Sequence, residues 1–305
     1  MDIPEEVRRR VALQGPEGAA WAAGLEALVA RLALAWGLEV GPVLAGGSGG
    51  LVLSVTAGAR PAVLKIPAPW LDPDRRQLAV LAAAKGRAYA ELLAHDAASG
   101  ALLVEALGAP LSGLGWSVED QIATLCAVLK AAWAAPPAPG LLAGDAKAAE
   151  LAGFIARVWE EQGRPWPAAL IDHALALCAA RRAAFDLRSA VTGHGDAHGA
   201  NLLQVPGTER DFKFVDPEGL LIEPAYDLGV LLRGWPDDLL AGGDPLGRGR
   251  ARCAELARLT GVDAQAIWEW GSIEMTSTGL HLRELGWAEE AAKYEAVARA
   301  WAGGI

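Results

Sequence analysis

Short apolar runs separated by glycines follow an N-terminal stretch of helical periodicity, and this change of pattern favours a small antiparallel sheet. Apolar residues 40–44 and 51–55 flank the glycine-rich run 46–50, and residues 62–66 form a third apolar run. Two apolar runs joined by glycines are typical of a β-hairpin, because glycine adopts the positive φ angles that tight turns need. We therefore predict three strands here, after one or two amphipathic helices over residues 5–36.

The remainder of the chain is predicted to be mainly helical. A helix is expected over residues 74–84, and a further strand over residues 101–105 completes the small sheet. Beyond Gly108 the pattern is mostly helical. We predict an α+β fold with two lobes: a small antiparallel-sheet N-terminal lobe of residues 1–107 and a mainly helical C-terminal lobe of residues 108–305.

The balance of charge limits the partners that the protein can have. The chain has 37 acidic and 27 basic side chains, which gives a formal net charge of −10. A nucleic-acid surface normally needs a basic patch, so nucleic-acid binding is disfavoured, whereas a cationic small molecule would be attracted. Ordinary solubility explains the same net charge equally well.

Neither export nor a disulfide framework is indicated. The three cysteines are far apart, without a C-x-x-C pair: Cys126, Cys178 and Cys253. Residues 1–6 are acidic where a secretion signal would be basic, and Glu26 and Arg31 interrupt the most apolar segment, residues 19–38. We expect a cytoplasmic protein that does not bind a membrane.

Residues 194–201, His-Gly-Asp-Ala-His-Gly-Ala-Asn, carry the densest set of chemically active side chains. Asp196 precedes Asn201 by five residues, and Asp216 follows Asn201 by fifteen, at the end of an apolar run. Kinases use this spacing to place a catalytic base and two metal ligands around one phosphoryl group. We expect Asp196 to be the catalytic base, and the oxygen ligands of Asn201 and Asp216 to hold Mg²⁺.

The two histidines of this segment leave a second interpretation open. On an extended strand His194, Asp196 and His198 would lie on one face and could bind zinc, as in a metallohydrolase. The other three histidines are placed in helical stretches without partner ligands: His95, His173 and His281. We therefore interpret His194 and His198 as hydrogen-bonding residues that organise the loop.

Lys65 lies in the middle of an apolar run, where an ammonium group is unfavourable unless an anion meets it. Nucleotide phosphates would serve as that anion. The preceding turn could lay backbone N–H groups over the same phosphates, through Gly46, Gly47, Ser48 and Gly49. The turn lacks G-K-[ST] and leads into a strand, so it is neither a Walker A loop nor a Rossmann fingerprint. Hairpin coverage of phosphates is typical of kinases.

Three motifs resemble those of the aminoglycoside phosphotransferase family, whose fold is similar to that of eukaryotic protein kinases. They are His194-Gly195-Asp196-x-His198-x-x-Asn201, Asp216-Pro217-x-Gly219 and the segment 223–228. The resemblance covers most of the chain and is strongest for the streptomycin 6-kinase and hydroxyurea-kinase branch. It implies a protein-kinase-like fold, with the nucleotide in the N-terminal lobe and catalysis and acceptor binding in the C-terminal lobe.

The resemblance also implies roles for further residues. The backbone from Glu105 to Leu107 would form the adenine-binding hinge, and Asp227 would support the catalytic loop by accepting backbone hydrogen bonds. The family places a glutamate in the helix after the strand lysine, to pair with that lysine. The best-placed residue here is Gln77, with Glu91 as a distant substitute. An amide oxygen could still orient the lysine, although more weakly than a carboxylate.

The implied activity is transfer of the γ-phosphoryl group of ATP or GTP to a hydroxyl group of an aminoglycoside-type antibiotic such as streptomycin, which would confer resistance. Mg²⁺ would be the cofactor and the protein a monomer or weak dimer. Acidic side chains would bind the amines of a cationic acceptor, the candidates being Glu223, Glu274 and Glu284. Two other functions use the same residues: a metabolic kinase of a sugar, amino sugar or amino alcohol, and a nucleotide-binding module without turnover, which Gln77 mildly favours.

Overall fold

The computed structural model describes residues 3–44, 49–70 and 75–303. The helices of its N-terminal part are α1 (Glu5–Leu13), α2 (Gly15–Trp36) and α3 (Arg76–Ala84), and its strands are β1 (Leu38–Val43), β2 (Gly50–Ala57), β3 (Arg60–Pro67), β4 (Leu92–His95) and β5 (Leu102–Glu105). The strands form one antiparallel sheet in the order β1-β2-β3-β5-β4.

One face of this sheet packs against α2. Leu64 and Ile66 of β3 point to the same side of the sheet, because alternate residues of a strand share a side. Both are buried there in a cluster that includes Leu25 of α2. The strand period turns Lys65 to the opposite face. From that face Val63 contacts the core of the C-terminal part. The sheet therefore presents Lys65 toward the C-terminal part.

The predicted strands and the helices over residues 5–36 are confirmed, with boundaries that differ by a few residues. The helix predicted over residues 74–84 begins at Arg76, and residue 74 lies outside the described residues. Strand β4 is not predicted. The placement of His95 in a helical stretch is wrong, because His95 ends β4. This four-residue strand is only half-buried and has no alternation of buried and exposed residues that would mark it.

Among the described residues one helix, α2, has the length and apolar composition of a membrane-spanning segment. Leu25, Val29 and Leu32 of α2 are buried. Arg31 binds the carboxylate of Asp96 through two hydrogen bonds of 2.9 and 3.2 Å. These contacts make α2 the outer layer of the sheet.

The C-terminal part is mainly helical. Its helices are α4 (Val118–Trp133), α5 (Gly144–Glu161), α6 (Ala168–Ala184), α7 (Ala225–Leu232), α8 (Pro236–Leu240), α9 (Pro245–Thr260), α10 (Ala264–Glu284) and α11 (Ala288–Trp301), and its short strands are β6 (Leu142–Ala143), β7 (Val191–Gly193), β8 (Leu202–Gln204), β9 (Phe212–Phe214) and β10 (Leu220–Ile222). The strands form a three-stranded sheet, β6-β10-β7, and a hairpin, β8-β9.

Close packing of α7 on α10 forms the centre of this part. A Cβ atom at Gly229 of α7 would lie 2.6 Å from the Cβ atom of Trp270 of α10, so the two helix backbones approach closely. The same core extends to Val80 of α3 and Leu102 of β5. Helix α3 is therefore anchored to both parts of the protein, next to the loop that follows β9.

Candidate active site

The segment between β7 and β8 forms a tight loop that carries Asp196. β7 pairs with β10 and β8 pairs with β9, so backbone hydrogen bonds hold both ends of the loop. Gly195 has a φ angle of 92°, and a Cβ atom there would lie 2.7 Å from the Cβ atom of Glu218. Only glycine fits this position without strain. Asp196 therefore projects from a conformationally restricted loop.

The buried carboxylate of Asp227, in the first turn of α7, fixes the backbone of this loop. It accepts hydrogen bonds from the backbone N–H groups of His194 (3.0 Å) and Gly195 (2.9 Å) and from the indole N–H of Trp133 (2.8 Å). Asp227 is fully buried. Because a buried carboxylate needs such donors, the loop and α7 stabilise each other.

The ring of His194 is a hydrogen-bonding element of the loop. Its Nδ1 accepts the backbone N–H of Asp196 at 3.1 Å, so the proton is on Nε2, which donates to the carbonyl oxygen of Val215 at 2.9 Å. Burial lowers the pKa of His194 and keeps the ring neutral. Both nitrogens are occupied, and the described residues contain no group of three His, Cys, Asp or Glu side chains that could hold a metal. These contacts argue against the zinc interpretation.

The carboxylate of Asp196 is held through both of its oxygens. His198 Nδ1 accepts the N–H of Ala200 at 3.2 Å, so its Nε2 donates to Asp196 Oδ2, at 3.1 Å. Arg233 Nη2 donates to Asp196 Oδ1 at 3.1 Å. Burial opposes ionisation, but the hydrogen bond from His198 and the positive charge of Arg233 outweigh it and hold the pKa of Asp196 below its usual range. Asp196 is therefore an oriented, ionised carboxylate at neutral pH.

Asn201 and Asp216 are brought together by the β8-β9 hairpin. The N–H of Val215 donates to the carbonyl oxygen of Asn201 at 2.9 Å, which places the two residues side by side. The side-chain amide of Asn201 donates its N–H to the carbonyl oxygen of Asp196 at 3.0 Å, and its Oδ1 accepts no hydrogen bond within the described part of the chain. One amide oxygen and one carboxylate suit a Mg²⁺ ion whose other ligands are phosphates and water.

Lys65 pairs with Asp216 across the two parts of the protein. Burial lowers the pKa of Lys65 to about 8. The side-chain amide of Gln77 also donates to Asp216 Oδ1, at 2.8 Å. Glu91 does not replace the missing glutamate, because its carboxylate binds Arg60 at 2.6 Å. Helix α3 thus contributes an amide to the aspartate of the expected metal site.

The remaining residues expected to bind nucleotide are only partly described. Gly46, Gly47 and Ser48 lie outside the described residues. The carbonyl oxygen of Gly49 accepts the N–H of Ala68 at 3.0 Å, which joins the start of β2 to the end of β3. At the end of β5 the carboxylate of Glu105 pairs with a lysine of β9, and the segment through Leu107 leads into the C-terminal part. The segment 105–107 therefore connects the two parts.

The three acidic candidates for acceptor binding have different surroundings. Glu223 accepts the indole N–H of Trp270 at 2.8 Å and pairs with Arg181 at 3.2 Å. Glu274 is buried, accepts the hydroxyl of Tyr226 at 2.7 Å and pairs with Arg233. Both carboxylates are committed to internal partners. Glu284 contacts Arg157 at 3.4 Å and His281 at 3.3 Å, and it also lines an open cavity of about 500 Å³, together with Glu161, Gln162, Arg283 and Ala288.

Several residues of the site are missing from the sequence-based expectations. Arg233 touches Asp196, Trp133 touches Asp227, and Lys147 binds Glu218 at 2.8 Å in the loop that follows β9. Each lies in a helix, or directly after one, that is far along the chain from its partner. Buried arginine and lysine are unusual, but the sequence alone does not show that these side chains are buried.

The fold and these side chains define a phosphotransferase that acts on hydroxyl groups. The sequence matches the family described as aminoglycoside/hydroxyurea antibiotic resistance kinase over residues 36–286, and the chain belongs to that family. It is 32% identical to the streptomycin 6-kinase of Streptomyces glaucescens over 289 residues, which cover 90% of this chain and 89% of that protein. It is 29% identical to the streptomycin 6-kinase of Streptomyces griseus, over 92% of this chain and 93% of that protein.

Solved structures show the same fold at low sequence identity. A choline kinase from Streptococcus pneumoniae superposes with a TM-score of 0.64 at 14% identity, over 92% of this chain and 99% of that one. The aminoglycoside phosphotransferase APH(4)-Ia, in a ternary complex with ADP and hygromycin B, superposes with a TM-score of 0.63 at 14% identity, over 90% of this chain and 97% of that one. The predicted protein-kinase-like α+β fold is confirmed.

Proposed function

We propose that this protein transfers the γ-phosphoryl group of ATP to a hydroxyl group of streptomycin or a closely similar aminoglycoside, and thereby inactivates the antibiotic. The observation that carries the proposal is the nearly full-length similarity to two streptomycin 6-kinases, combined with an intact set of Asp196, Asn201 and Asp216. We assign residues 1–107 to a nucleotide-binding lobe and residues 108–305 to a catalytic and acceptor-binding lobe.

In the proposed reaction Asp196 accepts the hydrogen bond of the acceptor hydroxyl and orients its oxygen toward the γ-phosphorus. The bond from that oxygen to phosphorus forms as the bond between phosphorus and the β,γ-bridging oxygen breaks, and ADP leaves. Asp196 takes up the hydroxyl proton late in the transfer. A carboxylate with a low pKa is a weak base, so orientation contributes more than proton removal.

Lys65 would bind the donor phosphates once its contact with Asp216 is broken. Asn201 and Asp216 would hold Mg²⁺, which would neutralise charge on the phosphates and fix their position. Gln77 would keep the Asp216 side chain in place from α3. Backbone groups of residues 105–107 would bind the base of the nucleotide.

We place the cationic groups of the acceptor at the cavity that Glu284 lines, between α5, α10 and the start of α11. The last two turns of α10 connect this cavity to the catalytic loop: Thr278 contacts Arg233, which lies beside Asp196, and Glu284 lies at the cavity. Glu161 contributes a second carboxylate to the same wall. Arg157 pairs with both carboxylates, so a guanidinium or ammonium group of an aminoglycoside would bind here by sharing them with Arg157 or displacing it.

The decisive experiment is mass spectrometry of an acceptor panel incubated with the protein, Mg²⁺ and either ATP or GTP. The panel contains streptomycin, other aminoglycosides, hydroxyurea, amino sugars and amino alcohols. Gain of one phosphoryl group by streptomycin, or by another aminoglycoside, supports the proposal. Phosphorylation of only a sugar or amino alcohol identifies a metabolic kinase instead. Nucleotide binding without transfer to any member overturns the antibiotic assignment.

A further inference from the structure

Arg233 is a buried cation in direct contact with the expected catalytic carboxylate. It follows the last residue of α7, where the helix dipole favours positive charge. Its Nη2 donates to Asp196 Oδ1 at 3.1 Å. Its side chain is 18% exposed and that of Asp196 is 37% exposed, so the contact is partly shielded from water and salt. An ion pair in such a place restricts the carboxylate more strongly than an exposed pair would.

The guanidinium group of Arg233 is itself held from two other directions. Its Nη1 donates to Thr278 Oγ1 at 2.7 Å, and its Nε lies 3.2 Å from Glu274 Oε2. Glu274 is buried and accepts the hydroxyl of Tyr226 at 2.7 Å. Two hydrogen bonds, from Nη1 and Nη2, and an ion-pair contact at Nε that is not a hydrogen bond restrict the position and the plane of this group. The plane of the Asp196 carboxylate is thereby tied to α10.

We propose that Arg233 is a positioning residue for phosphoryl transfer, which orients the Asp196 carboxylate so that Oδ2 meets the acceptor hydroxyl. This inference rests on the proposed kinase function. Oδ2 already accepts from His198 at 3.1 Å and, more weakly, from the Asn201 amide at 3.4 Å, so the acceptor hydroxyl would replace the longer of these two contacts. The same helix α7 then supports the loop twice, through the backbone at Asp227 and through the side chain at Arg233.

Lysine is a poor replacement at this position. Its ammonium group is a point charge without the planar fork that reaches Asp196, Thr278 and Glu274 at once. A lysine that keeps the charge would therefore lose the orientation of the carboxylate. The described contacts of the Arg233 side chain are with Asp196, Thr278 and Glu274, and none of these three is expected to bind nucleotide. Nucleotide affinity should accordingly be independent of Arg233.

The test compares Arg233→Lys and Arg233→Ala with Arg181→Lys as a matched control. Arg181 is a similarly buried arginine of the same lobe that pairs with Glu223 and Glu269, away from the catalytic loop. The measurements are kcat at saturating acceptor, KM for acceptor, Kd for a non-hydrolysable ATP analogue with Mg²⁺, and the thermal unfolding midpoint. The acceptor is the one that the panel identifies.

We expect kcat to fall about tenfold for Arg233→Lys and about 10²-fold for Arg233→Ala, which approaches the effect of losing the base itself. The Kd for the nucleotide analogue should stay within about twofold, since no nucleotide contact is removed. Guanidine added in millimolar amounts should restore part of the activity of Arg233→Ala. Arg181→Lys should keep its kcat even if its unfolding midpoint falls equally.

Either of two results would overturn the inference: a kcat for Arg233→Ala within about threefold of the unchanged protein, or a loss of kcat that Arg181→Lys reproduces at equal loss of stability. Failure of the proposed function is a separate outcome, seen when the unchanged protein phosphorylates no aminoglycoside. In that case the same variants are compared for their rate of ATP hydrolysis, in which water replaces the acceptor and Asp196 is still required. The inference about Arg233 is then judged by the same two criteria, applied to that rate.

Discussion

Replacement of Asp227 by asparagine tests how the catalytic loop is held. The change keeps the shape of the side chain but removes its charge and turns one oxygen into an amide N–H₂ group. In the unchanged protein three buried donors bind the Asp227 carboxylate: two backbone N–H groups, of His194 and Gly195, and the indole N–H of Trp133. Hydrogen bonds to a charged group contribute roughly 1.5–3 kcal/mol each, against about 1 kcal/mol between neutral groups.

The expected loss of stability follows from these three bonds. The least unfavourable arrangement keeps an oxygen toward His194 and Trp133 and places the N–H₂ group against the N–H of Gly195. Two bonds then weaken by about 1 kcal/mol each, and one buried N–H loses its acceptor at about 1–3 kcal/mol. The free energy of unfolding of Asp227→Asn should therefore fall by about 3–5 kcal/mol, a large part of the total for a typical protein.

Activity should fall with it, because Gly195 precedes Asp196 directly. A displacement of the catalytic group by about 1 Å costs on the order of 10²-fold in rate. The assays are urea unfolding followed by tryptophan fluorescence, and kcat with the identified acceptor.

Trp133→Phe is the matched control, since it removes one donor and leaves both backbone contacts in place; we expect it to lose only about 1–2 kcal/mol. If Asp227→Asn and Trp133→Phe lose equal stability, or if Asp227→Asn keeps its kcat, the loop is not held in this way.

Three further predictions concern the reacting groups, acid stability and helix packing. Asp196→Ala should lower kcat by about 10²-fold or more while its affinity for Mg-nucleotide stays intact, whereas Asp216→Ala should weaken that affinity. If calorimetry gives the two variants the same Kd for Mg-nucleotide, these roles are wrong. Hydrogen bonds from the α2 arginine and from a nearby serine lower the pKa of Asp96 in the folded protein. The stability that ionised Asp96 contributes is therefore present above its unfolded-state pKa of about 4 and is lost as pH falls through the lower pKa of the folded state. In unfolding measurements at a series of acid pH values, Asp96→Asn should lose about 1 kcal/mol at pH 7 and progressively less as pH falls. Gly229→Ala should lower the free energy of unfolding by about 1–3 kcal/mol, and with it the unfolding midpoint, because the added methyl group would meet the backbone of α10. Gly153→Ala is the control, since open space surrounds Gly153, and its midpoint should not fall. Equal midpoints for the two variants would refute the close packing of α7 on α10.

The sequence alone determined the longer strands and most helices, together with the short-range part of the site. Alternation of apolar residues in β2 and β3 encodes which side of each strand is buried, and thereby the side on which Lys65 lies. The loop that carries Asp196 and Asn201 is short, so its spacing suffices to predict that these groups are neighbours. Strand β4 escaped prediction because a four-residue, half-buried strand has too little periodicity to be recognised.

Only the tertiary structure decided which distant side chains complete the site. Arg233 lies 37 residues from Asp196 along the chain, and Gln77 lies 139 residues from Asp216, yet each pair is in hydrogen-bond contact. It also decided that Glu274 pairs with Arg233 inside the protein. The physical reason is that periodicity reflects the interactions of near neighbours in the chain, whereas these contacts depend on how α3, α7 and α10 pack against the loops.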